Sequence, residues 1–160
     1  MNEKEIVLQA MRSQGAADAL GLRERANSLD GSAVIEEEVK VPAFDPKKDY
    51  TSWPAGAPVY EEVAGEHQVF KLITPHNASH YEGSPSTLPA LWSICHTKNP
   101  KKAKPWLAPN GTSGLYAVDE CCTENGRVWK NTHDKNEFAP SALPERWEDL
   151  GSVEEVQKGA

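Results

Sequence analysis

The sequence predicts a mostly β protein: two small three-stranded antiparallel β modules in tandem, preceded by a short α-helical N-terminal arm. Three observations carry this. A nine-residue phrase is written twice: Ser84 to Trp92 reads S-P-S-T-L-P-A-L-W and Ala139 to Trp147 reads A-P-S-A-L-P-E-R-W, with five of nine positions identical at an offset of 55. Each copy follows two strand-like runs joined by a glycine turn, Ala64-Gly65-Glu66 in the first half and Glu124-Asn125-Gly126 in the second. Asn-Gly between such runs is a strong short-range hairpin signal. The opening residues instead space their apolar side chains for helix. Repetition of a whole hairpin-plus-phrase unit points to two modules rather than one.

In chain order, residues 1–30 form the arm. Ile6, Val7, Ala10 and Met11 make one stripe from Asn2 to about Arg12. Glu3 and Glu5 stand in the first turn, where the helix dipole favours acids. Gly15 interrupts, and Leu20 and Leu22 mark a second short helix weakened by Gly21. Stripes this narrow do not fold alone, so the arm either packs on its own module, stays partly disordered, or buries its stripe on a partner subunit. Ile6, Val7, Met11, Leu20 and Leu22 are the residues expected to make that contact. Asn27 to Gly31 reads as a turn. Residues 31–49 read as an extended linker, in which Val34, Ile35, Val39 and Val41 suit an edge strand and Glu36 to Glu38 keep it exposed.

The first module, residues 50–95, offers strands at Val59 to Val63, His67 to Thr74 and Leu91 to Cys95. Residues 96–110 carry Lys98, Lys101, Lys102 and Lys104 with three prolines and read as a solvated, semi-rigid spacer. The second module, residues 111–150, offers strands at Tyr116 to Thr123 and Arg127 to Thr132 before the second copy of the phrase. Residues 151–160 are polar and expected to fray.

Composition narrows the partners. With 38% hydrophobic residues, 12 prolines and 11 glycines in 160 residues, the chain suits loop-rich modules better than one large core. A net charge of −7 argues against nucleic acid and anionic membrane surfaces. No apolar run is long enough to insert in a membrane, and the opening M-N-E-K-E lacks a secretory pattern, so synthesis in a cytoplasm is expected. Cys95, Cys121 and Cys122 are odd in number, and neighbours such as Cys121 and Cys122 do not bridge each other. On a strand those two face opposite sides, which predicts one buried and one open thiol.

The second half reads Y-A-V-D-E-C-C-T-E-N-G-R-V-W and then F-A-P-S-A-L-P-E-R-W-E-D-L. This resembles the small chitin- and cellulose-binding modules of carbohydrate-binding families 5 and 12, in the version found in tail and baseplate proteins of bacteriophages. Tyr116, Glu120, Cys122, Gly126 and Trp129 fall on the first half of that pattern, and Phe138, Pro140, Pro144 and Trp147 on the second. Asp119, Glu120, Cys122 and Phe138 depart from its usual Gly, Asp, Val and Trp. The first module matches through Gly56, Val59, Phe70, Pro85, Pro89 and Trp92. The resemblance implies a non-enzymatic virion protein, held to other virion proteins through its arm, whose modules reach host cell-surface glycan. The alternative is a purely structural decoration protein using the same faces for subunit contacts.

Candidate chemistry follows from the rings. Glycan-binding modules stack planar aromatics on sugar faces, and Trp53, Tyr81, Trp106, Tyr116, Trp129 and Phe138 are the candidates. Trp92 and Trp147, which close each phrase, are expected in the core because so small a unit has little else to bury. His76 and His80, with Cys95-His96, lack a second pair at zinc spacing, so no metal or other cofactor is predicted. Glu61-Glu62 and Asp119-Glu120 are adjacent on strands and face opposite ways, so neither pair can flank one glycosidic bond. No catalytic residue is predicted.

Overall fold

The computed structural model describes residues 2–159; the first residue of the predicted arm and the last of the tail lie outside them. An N-terminal helix leads into a three-stranded antiparallel sheet and then a four-stranded mixed sheet.

The arm is one helix, α1 (Glu3–Arg25), rather than two. Asn2 and Glu5 form a reciprocal capping box at its start, and Arg23 and Arg25 stand in the last turn, where the dipole favours cations. Gly15 and Gly21 do not break it. Each costs about 1 kcal/mol relative to alanine, which a helix of 23 residues tolerates. The predicted strand after it is instead a short helix, α2 (Gly31–Glu36), capped by Asp30 on the Ala33 amide. Its adjacent Val34 and Ile35 are both fully buried, which one face of a strand could not achieve. Helical winding places both against the body.

The first sheet contains β1 (Pro58–Val63), β2 (Glu66–Leu72) and β3 (Trp92–Ile94), in that order. One face carries Val59, Phe70, Leu72 and Trp92 against Tyr50, Ala57 and Leu91. On the other, Val69 meets Leu22, Ala26, Val34, Ile35 and Cys95, so the end of α1 and all of α2 form its cover. Lys71 Nζ donates to the Leu29 carbonyl at 2.6 Å and fastens that cover. The rest of the predicted linker is not free either: Phe44 and Pro42 bond the backbone of Tyr60, and the Lys48 carbonyl accepts the Ala78 amide.

The second sheet runs β4 (Lys104–Pro105), β5 (Cys121–Glu124), β6 (Arg127–Asn131) and β7 (Trp147–Ser152). β4 comes from the predicted spacer and pairs parallel to β5, giving this sheet four strands where three were expected. Its Lys104 is not solvated; it meets Glu38 at 2.7 Å. The strand expected from Tyr116 is confined to Cys121–Glu124, because Asp119 turns the chain at φ +76°. The tail forms α3 (Val153–Lys158), capped by Ser152, with Val153 and Val156 packed on Ala103, Cys121 and Val128. Cys121 lies under this cover and Cys122 among Tyr116 and Trp147 on the other side, so both are buried, against the expectation of one open thiol. Burial pushes the Cys95 thiol up to about 12 and the Cys121 thiol up to about 11.

The two sheets meet at residues 95–99. Thr97 bridges to Cys121, and His96 stacks on Tyr116 with ring centroids 3.7 Å apart and bonds the Gly114 carbonyl. Gly31 closes this joint: a Cβ there would lie 2.6 Å from the His96 carbonyl oxygen. Burial lowers the His96 pKa to about 4.

Candidate functional site

The structure gathers three of the six predicted rings around one cluster in the second sheet and places the others elsewhere. Tyr116, Cys122 and Trp147 are buried together, and Trp106 and Trp129 pack half-buried against them. Cys122 pairs with Trp129 across β5 and β6, while the Trp106 amide donates to the Thr123 carbonyl at 2.9 Å on the opposite side of β5. The two indoles thus flank one central strand, roughly 10 Å apart at the backbone by ordinary strand spacing.

Local structure sets their exposure. A register shift at Val128/Trp129 leaves Leu150 as an extra residue on β7, with Gly151 at φ +123°. Such a bulge re-aims the neighbouring side chain. Trp129 Nε1 donates to the Glu124 carbonyl at 3.2 Å, fixing the ring plane. Trp106 Nε1 is buried without an acceptor among the described residues, so packing alone holds that indole. Beside Trp129, Arg127 pairs with Asp149 at 2.7 Å, and each raises the charged form of the other. Glu124 accepts the Ser141 amide at 2.8 Å and ties the Pro140–Ser141 loop to the same face.

Phe138 is 39% exposed, with the Arg146 guanidinium 5.3 Å from its ring centre. Its carbonyl accepts the Trp147 indole N–H at 2.9 Å. Asn131 holds the loop that presents it. This fully buried amide donates to the carbonyls of Tyr116, Ala117 and His133, and it accepts from Asn136. Sequence reading missed Asn131; the only signal was a polar residue at an inward strand position.

Of the other predicted rings, Tyr116 does not fit the role expected of it, and Trp53 and Tyr81 lie apart from this cluster. Tyr116 is 1% exposed and belongs to the core, since its ring is sandwiched between His96 and Trp147. Its hydroxyl pKa is raised by that burial. Trp53 is half-buried beneath the Arg23 guanidinium, 4.4 Å from its ring, with Lys48 also over it and Tyr50 edge-on. Tyr81 is 46% exposed but stands alone against His76 at the far end of the first-sheet cluster.

Of the arm residues, Leu22 is fully buried in the protein's own core. Ile6, Val7, Met11 and Leu20 are exposed at 52, 56, 65 and 45%. His76 and His80 make no metal cluster: among the described residues no three His, Cys, Asp or Glu side chains could hold an ion together. A shallow groove of about 470 Å³ between Val39, Pro42, Tyr60 and His67 includes none of the six rings. No helix among the described residues is long and apolar enough to cross a membrane.

Neither a family model nor a curated protein sequence matches this chain.

Proposed function

We propose that this is a non-enzymatic virion protein of the phage tail or baseplate type. Its second sheet contributes to holding host-surface glycan, and the free part of α1 attaches it to the particle. The observation that carries the glycan half is the pair of half-buried indoles, Trp106 and Trp129, on one face of a rigid sheet. Planar rings held by packing and only partly buried suit stacking against the C–H faces of pyranose sugars. The nearby Arg127–Asp149 pair and Glu124 offer polar partners to hydroxyls. A face with both acid and base, on a chain of net charge −7, suits a neutral polysaccharide of the chitin or cell-wall kind.

The attachment half is supported by exposure. From Asn2 to Ala17 every side chain is open, including Ile6, Val7, Leu8 and Met11, and a helix laid in a neighbour's groove is a common mode of docking. The arm is therefore shorter than the predicted residues 1–30, since Leu22 and Ala26 belong to the core.

A second reading has a specific observation behind it. The first-sheet rings are sealed by Arg23 and Lys48 or isolated, which suits a purely structural decoration protein. Pulldown on chitin and on cell-wall polysaccharide separates the two. Retention that is lost in Trp129→Ala with folding intact supports glycan attachment; no retention at millimolar oligosaccharide, with normal assembly into particles, selects the structural role.

A further inference from the structure

We propose that the free stretch of α1 pairs with the same stretch of a second copy, antiparallel and across a twofold axis. This rests on the reading of the arm as an attachment device and names the neighbour it meets.

At 100° per residue, Leu8, Gly15, Leu22 and Ala26 fall on one face of α1. Leu22 and Ala26 are fully buried against the first sheet, whereas Leu8 is 42% exposed. A single stripe is thus core at one end and bare at the other, and whatever covers the bare end continues an existing interface. Glu5, Leu8, Gln9 and Arg12 line one shallow depression on that side of the helix, at the i, i+3, i+4, i+7 spacing of neighbours on a helix face.

The charge order of this depression selects the occupant. Its acid lies toward the N-terminus and its base toward the C-terminus. A parallel copy would set Glu5 on Glu5 and Arg12 on Arg12. An antiparallel copy centred between Leu8 and Gln9 sets each Glu5 against Arg12 of the second copy, with Leu8 at the middle and Met11 beside it. A twofold contact of this kind uses one patch twice, as isologous dimers do. The capping box already holds the Glu5 carboxylate at the helix start, where Oε2 accepts the Asn2 amide. In this register Glu3 faces Gln14. The whole overlap stays inside the exposed stretch.

Exposed ion pairs contribute little each and are screened by salt, so the pair is reversible and weakens as salt rises. The test is sedimentation equilibrium of the full chain at low salt over a concentration series. The expected result is a concentration-dependent dimer that high salt dissociates. Arg12→Glu and Glu5→Arg should each weaken it about tenfold or more, because two attractions become repulsions. Mixed together, those two variants should form a heterodimer. Leu8→Asp, which leaves the helix cap intact, should also be monomeric, and circular dichroism checks that α1 persists in every variant. A full chain that stays monomeric, or a dimer indifferent to all three changes, overturns the pairing. The attachment reading is tested apart from it: a chain lacking residues 1–17 that still enters particles overturns attachment itself.

Discussion

In the first sheet both faces are covered around β2 and β3, and Tyr60 with His67, toward the β1–β2 turn, stays partly open. Val59, Phe70, Leu72 and Trp92 are buried against the Tyr50 cluster, and Val69 lies under the end of α1 and α2. In the second sheet, α3 and Ala103 close one face, while the other leaves Trp106 and Trp129 half open above Tyr116, Cys122 and Trp147. The same hairpin and the same Pro-Pro-Trp phrase precede both outcomes. What differs is the chain around them: residues 18–57, the end of α1 with α2 and the connector, wrap the first sheet, and only a six-residue helix follows the second. A repeated strand grammar therefore fixes a core but not a surface, and the open face belongs to the copy with less chain left to cover it.

The largest effect expected is common to both sheets. Trp92 and Trp147 are 1% and 6% exposed and begin the last strand of each, so Trp92→Ala and Trp147→Ala should each cost about 3–5 kcal/mol in chemical denaturation. If Trp147→Ala keeps wild-type stability, the second sheet does not share the first sheet's core logic.

Next in size is the joint between them. The unfolded chain takes up a proton on His96 below about pH 6.5, which the folded chain refuses until about pH 4. This contribution is complete above pH 6.5, falls as the pH drops through that window, and levels off below it. The total is about 3 kcal/mol, from 1.36 kcal/mol per pKa unit. Denaturation midpoints from pH 4 to 7 should show the slope in the wild type and lose it in His96→Asn; equal slopes would place His96 in contact with solvent.

The smallest effect separates the two hairpin turns. Both two-residue loops have positive φ throughout: Ala64 at +54° with Gly65 at +81°, and Asn125 at +54° with Gly126 at +76°. Left-handed backbone costs an alanine about 1 kcal/mol that asparagine largely avoids. Ala64→Asn should stabilise by about that amount and Asn125→Ala should destabilise by as much. Thermal unfolding that moves both in the same direction would refute the equivalence of the turns.

Much of the strand framework was legible. β1, β2, β3 and β6 lie where alternation and turn residues put them, and Trp92 and Trp147 sit in the core. α2 was not, because Val34-Ile35 in a six-residue helix has no period to distinguish it from a strand, and the capping role of Asp30 is hidden inside a turn-like N-S-L-D-G. β4 has two residues and pairs parallel through Lys104 and Pro105, so nothing in its composition signals a strand. Of the rings, pattern alone could not tell Tyr116 from Trp129. Both precede or follow the same turn, and the tyrosine is buried by His96, from the predicted spacer, on one side and Trp147 on the other.

The five tryptophans give the most direct test of the claim that the second sheet's open face is the binding surface, because each has one indole N–H. Titrating the 15N-labelled full chain with a neutral β-1,4-linked oligosaccharide follows all five signals at once. The account predicts dose-dependent shifts of the Trp106 and Trp129 signals, with Trp53, Trp92 and Trp147 nearly still. Shifts centred on Trp53, or no shift in any of the five at millimolar sugar, would contradict it.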